Sequence, residues 1–278
     1  MIEGPDPLVT VAELADVLHS PGLVVLDVQW NLVGEPGTDL YARAHIAEAP
    51  HLDLDTDLTG QPGVHGRHPL PEPLRLQDAL RRAGVSDDSR VVVYDQATSL
   101  AAARAWWVLR WAGLGDVRVL DGGLTAWQAA GMPVTSAVLT PHLGSVTVRP
   151  GSVPVLDAAG AAVMAEAGVL LDSRAAERFR GEVEPIDPVA GHIPGAVNAP
   201  MAEQLEIDGR FRSAAQLRDY FVARGVDGTC PVGTSCGSGV TAAHTALAMA
   251  HAGIDATVYV GSWSEWVTDP QRPVATGA

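Results

Sequence analysis

Only two of the 278 residues are cysteine, Cys230 and Cys236. Two is too few for a disulfide framework, and in a reducing compartment both are expected as free thiols. Positive charge is also sparse: 18 basic side chains face 33 acidic ones, a formal net charge of −15. Nucleic acids and anionic membranes reward basic patches, so neither is an expected partner. No apolar run approaches the roughly 20 residues that cross a bilayer. The first ten residues, MIEGPDPLVT, have neither a basic segment nor an apolar core, so no secretory signal is read there and the cytoplasm is the default location. His65 and His68 stand three apart without a cysteine or acidic residue at ligand spacing, so no metal is expected. No motif calls for a cofactor either. An acidic chain of this kind can handle an anion only locally, with a few placed arginines and backbone N–H groups.

What the chain does have is length and self-similarity. On a prior of about 100 to 200 residues per domain it divides into two. Residues 91–127 and 231–266 follow one plan: a short apolar strand, a loop, an Ala-rich helix ending at Ala-Gly, a Val-rich strand, and a turn closing on Trp127 or Trp266. Upstream, LVVLDVQW (23–30) matches GVLLDSRA (168–175), and Ala44-His45-Ile46 matches Gly191-His192-Ile193. The pattern is a tandem repeat of one α/β domain. Strands alternating with helical segments predict a mainly parallel sheet in each copy, flanked by helices, with ligands at the carboxyl ends of the strands. A stretch rich in Pro, Gly, Ser and Thr reads as a linker, giving domains at 1–140 and 155–278 joined by 141–154.

Chemistry concentrates at CGSGVTA, residues 236–242, between a strand-like and a helix-like segment. Gly237 and Gly239 permit a tight backbone whose successive N–H groups converge, and the helix that follows turns its positive end to the same point. Such a nest favours a thiolate, and the thiolate is the nucleophile. In the first copy the position opposite Cys236 is Asp95. Only the C-terminal copy is therefore expected to be catalytic, with the first serving as scaffold and as one wall of an interdomain cleft.

Five segments, LLDSR (170–174), RFRGEVEP (178–185), GHIPGAVNAP (191–200), CGSGVTA and GSWSEW (261–266), together make the chain resemble the two-domain rhodaneses, a family of sulfurtransferases, over essentially its whole length. The resemblance implies that Cys236 takes sulfane sulfur from a small-molecule donor and holds it as a persulfide among the N–H groups of Gly237, Ser238, Gly239, Val240 and Thr241. The sulfur then passes to a thiol, a thioredoxin-like protein or cyanide. It further implies a proton-handling set of Ser238, His68 and Asp55, the last two from the first copy, with Arg178 holding a donor carboxylate. Thiosulfate enzymes of the family carry cationic residues after the cysteine, whereas the pair Gly237-Ser238 is similar to the branch that uses 3-mercaptopyruvate. The expected function is sulfur transfer from 3-mercaptopyruvate, with thiosulfate as the alternative donor. One departure stands out. That branch usually places a second arginine directly after Glu-Pro, and here Glu184-Pro185 leads to Ile186 and Asp187, leaving Arg174 and Arg180 as nearby candidates.

Other residues read as architecture. Trp106, Trp107, Trp111 and Trp127 fall at packing spacings, and His45 and His192, present in both copies, are expected to lock their loops. Cys230 has no cradle. The plainer alternative for Asp55 is a turn cap shared with Asp53 and Asp57, for His68 a solvated loop side chain, for Ser238 a bond within its own loop, and for Arg178 an ion pair with Glu177 or Glu182. A cysteine phosphatase of related fold needs an arginine six residues after the nucleophile, where this chain has Ala242. A non-catalytic binding module has no use for the complete glycine cradle around Cys236.

Overall fold

The computed structural model describes residues 6–138 and 140–278; Met1 to Pro5 and Leu139, all within the expected first domain, lie outside the described residues. Two sheets form. The first contains β1 (Leu8–Val9), β2 (Leu23–Asp27), β3 (Arg90–Tyr94) and β4 (Val117–Leu120) in the order β1-β4-β3-β2. The second contains β5 (Val155–Leu156), β6 (Val169–Asp172), β7 (Val197–Asn198), β8 (Val232–Ser235) and β9 (Thr257–Tyr259) in the order β5-β9-β8-β6-β7. Every pairing between these strands is parallel. Helices cover both faces of such a sheet, which is why the central strands are apolar runs and not alternating ones. All four residues of β6 and of β8 are buried. Polar Thr234 and Ser235 are accommodated in β8 because their hydroxyls donate to Ala242 O and Leu171 O.

The repeat is exact enough to be traced bond by bond. In the first copy Leu124 N donates to Asp95 O and Thr125 N to Gln96 O; in the second Trp263 N donates to Cys236 O and Ser264 N to Gly237 O. Asp95 thus occupies the place of Cys236. Each loop then enters a helix, Leu100–Trp111 or Val240–His251, through a residue in the left-handed region, Ser99 at φ 59° or Gly239 at φ 83°. Imidazoles lock both copies in the same way: His45 Nδ1 donates to Tyr41 O at 2.8 Å and stacks on the Tyr41 ring, while His192 Nδ1 donates to Phe179 O at 2.7 Å and stacks on Phe179. Trp127 and Trp266 close each copy by donating to Pro133 O and Pro273 O.

The first copy fills its own nest. The Asp95 carboxylate is buried and accepts from the backbone N–H groups of Ala97, Ser99, Ala101 and Ala102, at 3.1, 3.0, 2.9 and 3.2 Å. An internal carboxyl group, which burial pushes up from its ordinary value against these four bonds, sits where a substrate anion would have to bind.

The helices Leu100–Trp111 and Val240–His251 pack directly on each other, and buried residues of both enter one continuous core. Their alanines, among them Ala102, Ala105, Ala243 and Ala246, let the two backbones approach, while Trp106 and Trp107 fill the space beside them. This contact brings the carboxyl ends of β3 and β8 together, and with them the loops that follow.

Because the two imidazole locks are geometrically equivalent, His45→Ala and His192→Ala should each lower stability by about 2 kcal/mol, the loss of one buried hydrogen bond and one ring stack. Neither should change the rate of the site described below. Denaturant unfolding followed by fluorescence measures both, and a cost below about 0.5 kcal/mol for either would contradict an architectural role.

Candidate active site

Cys236 follows β8 directly and is 2% exposed. Its Sγ accepts the N–H of Ser238 at 3.3 Å and of Gly239 at 3.1 Å. The loop can bend this way only because residue 239 is glycine: its φ is +83°, and a Cβ there would lie 2.3 Å from Val260 O. Below the cysteine, Ser262 Oγ donates to Tyr259 O at 2.7 Å, accepts the Cys236 N–H at 3.0 Å, and stands 3.9 Å from Sγ. Ser262 holds φ +51° at the position where the first copy has Gly123 at +56°. A side chain is retained there at a conformational cost of about 1 to 2 kcal/mol, and its hydroxyl fixes the cysteine backbone.

A cavity of about 510 Å³ opens over the sulfur, with Cys236, Ser238, Thr241 and Arg178 from the second domain and Trp30 and Arg67 from the first among its lining. The N–H groups of Ser238 and Gly239 point at Sγ, and Gly237, Val240 and Thr241 line the cavity into which a persulfide's outer sulfur would extend.

Ser238, His68 and Asp55 are brought together across the domain boundary. His68 Nδ1 lies 2.7 Å from Ser238 Oγ, and His68 Nε2 lies 3.4 Å from Asp55 Oδ1. Asp55 is not the turn cap, since Asp53 caps that turn through the N–H groups of Asp55 and Thr56. The Asp55 carboxylate accepts instead from Trp30 Nε1 at 2.9 Å, and Trp30 meets the His68 ring edge-on. Asp55 is 56% exposed, which connects the chain of groups to solvent. Burial pushes the His68 imidazole down to about 4, and the Arg104 guanidinium beside it acts in the same direction against the opposing pull of Asp55. The ring is therefore neutral near pH 7, with Nε2–H turned to Asp55 and Nδ1 free to accept from the Ser238 hydroxyl.

Arg104 was hidden in the sequence inside an Ala-rich helix. It is fully buried and donates through Nη2 to His68 O at 2.9 Å and Pro69 O at 3.2 Å, fixing the backbone that carries His68. At the same place in the partner helix, five residues after its left-handed cap, His244 reaches back to Thr98 O at 3.0 Å. Arg104 thus pins a loop of its own copy, and His244 pins the first copy's loop from the second.

Arg178 does not pair with Glu177 or Glu182. It forks onto Glu184 at 3.2 and 2.6 Å and touches Asp187 at 3.4 Å. Arg174 is buried and committed to Asp172, Gly191 O and Glu184, with its guanidinium over the Trp263 ring. Arg180 is on the surface, paired with Glu182. Neither supplies a free second arginine. Arg67, unremarked in the sequence beside His68, reaches Asp187 from the first domain. Cys230 is a free, half-buried thiol packed against the core. Among the described residues no cluster of His, Cys, Asp and Glu could hold a metal ion, and no helix is long and apolar enough to cross a membrane.

Comparison with known proteins gives the same picture. A family model described as a rhodanese-like domain matches residues 10–130 and again residues 157–269. The chain is 47% identical over 281 residues to a Pseudomonas aeruginosa protein named "Probable 3-mercaptopyruvate sulfurtransferase", covering 97% of this chain and 98% of that one. It is 44% identical over 277 residues to SseB of Mycobacterium tuberculosis, named for thiosulfate sulfurtransferase activity, with 97% of each chain covered. The crystal structure of SseA from Escherichia coli, a 3-mercaptopyruvate sulfurtransferase, superposes with a TM-score of 0.83 at 30% identity, over 93% of this chain and 99% of that one.

The depressed imidazoles have a consequence for stability. Burial holds His68 at about 4 and His244 at about 3, against an ordinary value of 6.5. The unfolded chain protonates first on acidification, so the stability these groups allow is complete above pH 6.5 and is lost as the pH falls toward 4. His68→Asn, which keeps a partner for Ser238, should flatten that decline by up to about 1.4 kcal/mol per pH unit. Unfolding midpoints at several pH values between 4 and 7 measure it, and an unchanged slope would contradict a neutral buried His68.

Proposed function

The chain belongs to the rhodanese-like family, and we propose that it is a sulfurtransferase that takes sulfane sulfur from 3-mercaptopyruvate onto Cys236 and passes it to a thiol or to cyanide. Family membership covers the fold. Relatives of nearly equal identity are named for different donors, so the names do not choose between them.

The observation that carries the reading is the Ser238–His68–Asp55 chain beside the sulfur. Cys236 thiolate attacks the donor sulfur, an S–S bond forms, and the C–S bond breaks with its electron pair passing to C3 of the donor as an enolate. That carbon must then gain a proton. The donor thiol loses one in the same event, and a hydroxyl hydrogen-bonded to a neutral imidazole is the group suited to carry it. Pyruvate leaves and the persulfide remains, its charge held by the N–H groups of the loop. Thiosulfate cleavage breaks an S–S bond and releases sulfite without protonating carbon, so it has no need of such a relay. In the second half-reaction a thiol attacks the outer sulfur and carries it away as a persulfide, or cyanide leaves as thiocyanate, and Cys236 thiolate returns. The side chains of Gly237, Ser238 and Gly239 carry no positive charge of their own, and the cations beside the loop are guanidiniums, whose planar fork suits a carboxylate.

Cys236→Ser should abolish transfer and leave the fold intact, while Cys230→Ser should transfer at the wild-type rate. Mass spectrometry of donor-treated protein should find one added sulfur, on the Cys236 peptide. Ser238→Ala should lower kcat with 3-mercaptopyruvate by about 10²-fold and with thiosulfate by less than about tenfold. A wild type that prefers thiosulfate by about tenfold in kcat/KM, some 1.4 kcal/mol of transition-state binding, would refute the donor assignment.

A further inference from the structure

The departure after Glu184-Pro185 leaves a single arginine, Arg178, facing the donor carboxylate, and Arg174 and Arg180 are both committed elsewhere. We infer that Arg67, supplied by the first domain, is the second carboxylate-binding arginine and that the donor is clamped between Arg67 and Arg178 across the domain boundary. This inference rests on the 2-oxo acid reading of the donor.

The two guanidinium groups converge on the residue next to the nucleophile. A Cβ built on Gly237 would lie 2.9 Å from Arg67 Nη2 and 3.6 and 3.8 Å from the two terminal nitrogens of Arg178. The space a side chain would fill at 237 is therefore bounded by two cations and opens into the cavity over Cys236. A three-carbon 2-oxo acid whose carboxylate enters that space turns its C3 sulfur toward the cysteine.

Arg67 is placed there rigidly. Its own N–H donates to Ser264 Oγ at 3.1 Å, and Ser264 N in turn donates to Gly237 O at 2.9 Å, so two bonds tie Arg67 to the cysteine loop. The preceding Gly66 lies flat on the same turn: a Cβ there would stand 2.8 Å from Gly261 O and 2.9 Å from Ser264 Oγ, and the residue has φ +97°. The small bridge between Gly63 and Gly66 closes the loop behind it.

The pair already brackets a carboxylate. Asp187, 4% exposed, accepts from Arg67 Nη1 on one side and lies 3.4 Å from Arg178 Nη2 on the other. It stands two residues after Pro185, adjacent to the position where the family's second arginine is expected, and it holds Arg67 in that arginine's stead. The acidic contacts of Arg67 use Nη1, and those of Arg178 use Nε and Nη2. Arg67 Nη2 and Arg178 Nη1 keep their donors for a ligand. A forked pair of guanidiniums is suited to a planar carboxylate.

The test is steady-state kinetics with 3-mercaptopyruvate together with product inhibition by pyruvate, in wild type, Arg67→Ala and Arg67→Lys. Arg67→Ala should raise both KM for the donor and Ki for pyruvate by about tenfold or more while kcat falls by less than about threefold. Arg67→Lys should recover part of both, since it restores the charge but not the fork. Arg67→Gln serves in place of Arg67→Ala if the latter does not fold. KM and Ki within about twofold of wild type, or a loss confined to kcat, would overturn the assignment of Arg67 while leaving the donor reading in place. A wild type that turns over thiosulfate but not 3-mercaptopyruvate overturns the donor reading itself, and the clamp with it.

Discussion

The sulfur of Cys236 is buried away from water, and what faces it in water's place is backbone N–H. Two N–H groups, of Ser238 and Gly239, meet Cys236 Sγ because the chain reverses at Gly239 in a conformation that leaves no room for a side chain. The matching turn in the first copy, made through Ser99 in the left-handed region, gathers four N–H groups around Asp95. One fold thus makes the same electrostatic device twice. In one place it is filled by the carboxyl group of Asp95, and in the other it is left to the thiol of Cys236.

Duplication also explains the division of labour. The second domain carries the nucleophile, Ser238 and Arg178, but the imidazole, its carboxylate partner, Trp30 and Arg67 all come from the first. What aligns the two sets is the packing of the helices that follow the two loops. From their interiors Arg104 fixes the backbone of His68 and Pro69 within the first copy, and His244 reaches over from the second copy to Thr98 O of the first. Arg104 does more than position: as a buried cation beside His68 it helps to keep that ring neutral, the state in which it can accept a proton from Ser238. The chain's net charge of −15 is compatible with handling an anion because the cations that matter are few and placed.

What could be read from the sequence follows the range of the interactions. The tandem repeat, the parallel sheets and the cysteine loop rest on local signals, apolar strands and glycines at fixed offsets, and these are visible in a linear text. Which N–H groups meet the resting sulfur, those of Ser238 and Gly239, depends on the turn the chain makes at Gly239 and not on spacing alone. The partners of Arg178 and the place of Arg67 depend on how two domains dock, for which no residue spacing gives a signal. Arg104 and His244 left a trace, a polar residue at the same point, the fifth, of each Ala-rich helix. Ser262 left one too, as the residue that replaces a glycine of the first copy.

Sulfur chemistry on Cys236, in a pocket completed by the first domain, is what every other feature of the site serves. Crystallography of the protein after reaction with 3-mercaptopyruvate, with the pyruvate product retained, tests it most directly. The prediction is a second sulfur bonded to Cys236 Sγ within hydrogen-bonding distance of the loop N–H groups, and a pyruvate carboxylate between Arg67 and Arg178. An unmodified Cys236, or a pyruvate bound away from both arginines, would contradict it.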